Sequence, residues 1–170
     1  FSGDGGNGKT VAITMLQRLL GPLCFSVAFE EMGKSNNYDL AEVAGKRVIF
    51  STESERGGKL AEGHIKRIVS GERINARPIY GSPFEFTSTA KVFWAMNDLP
   101  VIKDTSNGVW RRLKLIPFLR TFTEKDKNPN LIPELEKELS GILTHALTGL
   151  RSLRHRGHFP ESAAVKAAVE

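Results

Sequence analysis

Eight consecutive residues have the most specific chemistry in the sequence: Gly3-Asp4-Gly5-Gly6-Asn7-Gly8-Lys9-Thr10 fits the pattern G-x-x-x-x-G-K-S/T. Glycines at these positions let the backbone fold around a phosphate with successive N–H groups pointing inward, and a helix starting there adds its positive end. In such a loop Lys9 reaches the terminal phosphates, and the Thr10 hydroxyl ligates Mg2+. All eight residues are expected to bind a nucleotide. The competing explanation is a glycine-rich turn that merely opens a helix.

Hydrolysis asks for more groups, and three later stations have the right types. An acid at the end of a buried strand can hold Mg2+ and polarise water. Glu53 follows the apolar run Val48-Ile49-Phe50-Ser51-Thr52, with Glu55 two residues on as its supporter. Exposed loop acids are the bland alternative. Asn97 closes the segment that starts at Lys91. Its amide both donates and accepts, so it can sense a γ-phosphate and orient water, although Asn97-Asp98-Leu99-Pro100 is also a good turn. Arg111 and Arg112 sit beside Trp110 ahead of a β-prone run. Paired arginines there can stabilise transition-state charge, often across a subunit boundary; ordinary surface arginines are the other reading. The expected catalytic set is Glu53, Glu55, Asn97, Arg111 and Arg112, with Thr10 and Glu53 on the metal.

The elements that must position these groups alternate between helix and short apolar strand. Val11 to Leu20 predicts an amphipathic helix, ended by Gly21-Pro22. Cys24 to Phe29 and Arg47 to Thr52 predict strands, the second with the apolar core of a buried parallel strand. Tyr38 to Ala44 and Leu60 to Ser70 predict helices closed by Gly45 and Gly71. Arg73 to Tyr80 and Phe84 to Asn97 predict two strands facing each other across Gly81-Ser82-Pro83. Leu113 to Phe118 predicts a strand that Pro117 confines to an edge. A last helix has Leu135, Leu139, Ile142, Leu143, Ala146, Leu147 and Leu150 on one stripe, expected to face a core, with Pro133 in its first turn. The pattern argues α/β with a parallel core. The strand that should feed the glycine loop is expected to be almost wholly missing, as if the chain were a window on a longer protein.

Composition narrows the class without choosing a function. The 170 residues are 40% hydrophobic and 25% charged, which excludes disordered, collagen-like and coiled-coil classes. No apolar run approaches the roughly 20 residues that span a bilayer, and no secretory leader pattern is present. The single cysteine, Cys24, excludes an internal disulfide and a cysteine zinc cluster, and suits a reducing cytoplasm. Net charge is +5, but residues 64–120 carry ten Lys/Arg against four acids. That block is either a solvated basic face or a footprint for nucleic-acid phosphates.

Read in order, GDGGNGKT, GKRVIFSTESE, IKRIVSGERINARPIYGSPFEFTSTAKVFWAMNDLP and GVWRRLKLIPF resemble superfamily 3 helicases, within them the phage and plasmid primase-helicase group. SGILTHALTGLRSL is similar to the helix that follows the core in that group. The resemblance covers nearly the whole chain. It implies a P-loop, AAA+-like three-layer fold with a central parallel sheet, and division into an ATPase core (1–120) and a C-terminal helical extension (121–170). It also implies ATP with Mg2+, bound between subunits of a homo-oligomeric ring, typically a hexamer. Gly3 to Thr10 then corresponds to the Walker A loop, Glu53 to Walker B, Asn97 to sensor 1, and one of Arg111 and Arg112 to the arginine finger. A hairpin before sensor 1 is expected to contact DNA, single-stranded in the ring channel. It maps onto Arg73 to Phe86 with its tip at Ile79-Tyr80-Gly81-Ser82. There Arg77 can bind a phosphate and Tyr80 or Phe84 can stack on a base, with Lys66 as a further contact and Phe86 expected in the core. The function implied is an ATP-driven DNA helicase of a phage, plasmid or mobile element, in a bacterial cytoplasm and with other replication factors as further partners. The alternative is a nucleotide-gated DNA-binding or loading module with little turnover. A small-molecule kinase lacks an acceptor lid in this sequence.

Overall fold

The computed structural model describes residues 1–3, 5–28, 38–52, 62–97, 112–160, 162, 163 and 165. Its centre is a parallel sheet in the order β1 (Cys24–Ser26), β2 (Val48–Thr52), β5 (Lys91–Ala95). Register pairs Ile49 with Phe25 on one side and Val92 on the other. Ser2 extends the sheet beyond β5, bridging Met96 on one side and Pro117 on the other, both in parallel. Ahead of the glycine loop stand Phe1 and Ser2, and Ser2 makes isolated bridges and no strand of its own, as expected of a feeding strand almost wholly missing. Pro117 is tolerated there because its neighbours make the bonds: Ser2 N donates to Ile116 O (3.0 Å) and Phe118 N to Ser2 O (2.7 Å).

Strand alternation builds a core on each face of the sheet. Ile49 points to one side, where it is buried with Leu40 and Val43 of α2 (Tyr38–Val43), Ile68 of α3 (Glu62–Ser70), and Ile74 and Ala76 of β3 (Arg73–Ala76). Its neighbour Phe50 points to the other, against Ile13 of α1 (Lys9–Leu20) and Ala95. Each of the larger of these side chains, fully withdrawn from water, contributes about 1.5–3 kcal/mol. Helices thus cover both faces.

The segment from Phe84 to Asn97 is two strands and not one. β4 (Phe84–Thr87) pairs antiparallel with β3 in a separate two-stranded sheet, Ile74 opposite Phe86 and Ala76 opposite Phe84. Ser88 to Ala90 then turns the chain into β5, with Ser88 Oγ accepting from Ala90 N (3.2 Å). Both Ser88 and Ala90 are buried, so the continuous apolar-β pattern conceals a change of sheet. Leu113 to Phe118 is also shorter as a strand than its composition suggests, with one bridge at Pro117.

Towards the C-terminus the single expected helix is broken at Lys137-Glu138 into α4 (Leu131–Glu136) and α5 (Leu139–Arg156). Both pack on α1, where Arg18 Nε pairs with Glu136 Oε1 at 3.0 Å. Leu135, Leu139 and Ile142 are half-buried, but Leu143, Leu147 and Leu150 are 41–48% exposed. Periodicity defines an apolar face without supplying what covers it, so the second half of the stripe is not core here. Among the described residues no helix is long and apolar enough to cross a membrane.

Candidate functional site

The glycine loop follows directly on Ser2 and runs into α1. Gly6 and Gly8 both take left-handed backbone, at φ 70° and 85°, which side chains resist. Gly3 makes a close approach: a Cβ there would run into the Phe118 carbonyl oxygen and come within 2.5 Å of Asn7 Nδ2. Gly8 caps α1 with no side-chain hydrogen bond, and the first turn holds no acid. The helix therefore presents its positive end without a competing carboxylate. Thr10 lies in that first turn, exposed.

Lys9 and Asn7 are both only 6% exposed. The Lys9 ammonium turns back into the loop, donating to Gly3 O and to Asn7 Oδ1 (3.0 Å). Asn7 Oδ1 also accepts from Lys9 N at 3.5 Å, while Asn7 Nδ2 donates to Phe118 O at 3.2 Å. The amide uses its acceptor end on the loop and its donor end on the 116–118 segment. Phe122 N donates to Gly6 O (2.8 Å), and the Phe122 ring lies 3.6 Å from where a Gly8 Cβ would be. Arg120 covers that ring, its guanidinium carbon 4.8 Å from the ring centre. Phe118 and Phe122 thus wall the loop, and neither was singled out by the sequence. Apolar residues after a strand look like ordinary core in a linear reading. Asn7 was picked out only as a loop position; its two-way link needs the fold to be seen.

The sheet register brings a second station to the loop. Ser2 and Met96 are parallel partners, and Met96 N donates to Phe1 O at 2.9 Å. Gly3 and Asn97 therefore leave adjacent positions at the same end of the parallel strands, with Asn97 exposed. β2 ends on that side too, Thr52 paired with Ala95. Asp4, Glu53, Glu55 and Arg111 lie outside the described residues. Arg112 is described and exposed, five residues before Pro117.

The loop fits an anionic phosphate on its own geometry. It offers an uncapped helix N-terminus, a glycine at position 3 where a Cβ would intrude, and a buried ammonium turned into the loop on Gly3 O and Asn7 Oδ1.

The second cluster of expected residues is the hairpin tip. Tyr80 is fully exposed and Ile79 is 65% exposed. Tyr80 is the one described non-glycine residue with positive φ, at 60°. Arg77 Nε donates to Gly81 O (2.9 Å), and Gly81 N to Pro78 O (3.0 Å). Phe84 and Phe86 stack on each other, ring centres 5.7 Å apart, and both pack against the core around Ile49. Phe84 is thereby half-buried in the hairpin's inner face, away from the exposed stacking position that the sequence allowed it. Lys66 is exposed on α3.

A family described as "Family of unknown function (DUF5906)" matches residues 1–112. A protein of Acanthamoeba polyphaga mimivirus is 32% identical over 144 residues, covering 81% of this chain and 15% of its own length. One from Frog virus 3 is 29% identical over 134 residues, covering 72% of this chain and 14% of its own. Both bear the name "Putative helicase". This chain spans about one seventh of those relatives. The apo structure of the NrS-1 C-terminal region is similar in fold, with a TM-score of 0.65 at 16% identity, covering 84% of this chain and 34% of that one.

Proposed function

This chain belongs to the DUF5906 family, and we propose that it forms the ATP-binding core of a DNA replication helicase. The observation that carries the reading is the loop from Gly3 to Thr10, closed on a buried Lys9 at the head of an uncapped helix. Large-DNA-virus relatives named for helicases, and the basic block over residues 64–120, support a nucleic-acid substrate.

In this reading Lys9 turns from Gly3 O and Asn7 Oδ1 to the β- and γ-phosphates, where its hydrogen bonds are charge-assisted on both sides. The loop amides hold the remaining phosphate oxygens. Thr10 and Glu53 would hold Mg2+, which neutralises charge developing on the phosphates. Glu53, supported by Glu55, polarises water, and Asn97 orients it beside Gly3. Arg111 or Arg112 supplies charge to a neighbouring subunit's nucleotide in a homo-oligomeric ring, and the hairpin moves single-stranded DNA through it.

The test is a variant pair. Arg111→Ala combined with Arg112→Ala is expected to retain ATP binding and lose hydrolysis. Mixing it with Lys9→Ala subunits is expected to restore part of the activity, because each supplies what the other lacks. Normal hydrolysis by the double variant alone contradicts the ring mechanism. DNA affinity that changes with ATP, without any phosphate release, favours the gated-module alternative.

A further inference from the structure

The hairpin tip combines three features that a passive turn does not need together. Tyr80 is held in left-handed backbone, which costs an ordinary side chain roughly 1–2 kcal/mol. Its ring is fully exposed, so no packing among the described residues offsets that cost. Arg77 lays its guanidinium Nε on the carbonyl of Gly81, across the turn. The turn is closed a second time by Gly81 N on Pro78 O, and a Cβ at Gly81 would press on the Pro78 ring at 3.0 Å. Strain that persists in the absence of local packing is held by the groups that over-determine it. Here those groups are the Arg77 strap, the Pro78 ring and the glycine.

We infer that Arg77 is a positioning residue: it straps the 77–81 turn so that Tyr80 stands out as a preformed stacking platform for a base of single-stranded nucleic acid. This deepens the proposed function and rests on it. Arg77 was expected to bind a phosphate directly, and the two roles differ in mechanism. A phosphate contact needs only a cation, so lysine substitutes well. A strap needs the guanidinium's fixed geometry, so lysine does not. At the hairpin base Arg73 is paired with Glu85 at 3.6 Å, which leaves the tip, and not the base, as the contact built for display. A platform fixed before binding loses less freedom when the base arrives.

The experiment is binding of a fluorescent oligothymidylate to the purified chain across a salt series, with thermal melting of every variant as the folding check. Tyr80→Ala is expected to weaken binding by about 5- to 140-fold, the range for one base–aromatic stack. Arg77→Lys is expected to lose a comparable factor while the slope of log affinity against log salt stays at its wild-type value. In the Tyr80→Ala background Arg77→Lys is expected to add nothing, because its effect passes through the ring. If Arg77→Lys binds like wild type while Arg77→Gln shallows the salt slope by about 0.7, the arginine is a phosphate contact and the strap is overturned. If Tyr80→Ala binds like wild type, the tip does not meet DNA, and it is the underlying functional reading of the hairpin that fails.

Discussion

The glycine loop and the hairpin tip treat their polar and apolar groups in opposite ways. In the loop, Lys9 and Asn7 are buried and bonded to their own backbone and to Phe118. At the tip, Tyr80 and Ile79 face solvent on a strained turn that Arg77 straps across to Gly81 and that Gly81 N closes on Pro78 O. In the proposed function the loop holds its charge inward for a phosphate, whereas the tip holds its ring outward for a base. A group that binds a compact, highly charged ligand gains from being withheld from water; one that meets a long polymer gains from being presented.

The largest expected effect removes the stored charge. Lys9→Ala should lower ATP hydrolysis by at least about 100-fold and leave Asn7 Oδ1 and Gly3 O without their ammonium. Phosphate release and nucleotide binding measure it. Next come two glycines separated by one residue, Gly3 and Gly5. Gly3→Ala forces a Cβ onto Phe118 O and should destabilise the fold by about 1–3 kcal/mol. Gly5→Ala meets nothing within 4 Å and should change stability by less than about 0.5 kcal/mol. Denaturant unfolding of the pair separates close approach from mere flexibility. If both behave alike, the walled-loop account is wrong.

At the tip the same measurement should run with the opposite sign. Tyr80→Gly relieves the left-handed strain and should stabilise the chain by about 0.5–1 kcal/mol after the added chain entropy is set against it. It should simultaneously weaken oligothymidylate binding by about 1–3 kcal/mol. A tip variant that loses both stability and binding would erase the distinction between the regions.

The smallest effect concerns the segment that walls the loop. The Asp126 carboxyl is held below its usual range by a backbone hydrogen bond from Thr123 N, by Thr123 Oγ1, and by the charge of Arg120. A carboxylate lowered in the folded state stabilises above its unfolded pKa, near 3.8, and that contribution disappears as pH falls through the lower folded value. Asp126→Asn should therefore melt slightly earlier than wild type at neutral pH and at nearly the same temperature in strong acid. Melting curves across that window check the sign.

Much of this contrast was legible in the sequence, and the remainder was hidden for physical reasons. The helix behind the glycine loop and the buried run at Val48-Ile49-Phe50 each read correctly, because helical periodicity and apolar clustering are local properties. The tip at Ile79-Tyr80 read correctly, but the strand expected to reach Tyr80 stops at Ala76, because the turn closes on Pro78 and Gly81 ahead of Gly81-Ser82-Pro83. What did not read was long-range pairing. Nothing local reveals that Ser88 to Ala90 switches sheets, that Ser2 fits between Met96 and Pro117, or that Asn7 reaches Phe118 across 111 positions of chain. The α5 stripe read as core because periodicity is blind to whether a partner exists. The strap from Arg77 to Gly81 spans four residues, yet a lone arginine before Pro78 carries no signal for it.

The claim at the centre of this account is that a withheld lysine and a displayed tyrosine serve one cycle of nucleotide hydrolysis on DNA. Phosphate release by the wild-type chain, with ATP and Mg2+, measured with and without single-stranded DNA, tests it most directly. The account predicts release that rises when DNA is added, and a rise that Tyr80→Ala removes while basal release persists. Basal release that is indifferent to DNA, or a DNA-driven rise that survives in Tyr80→Ala, would contradict it.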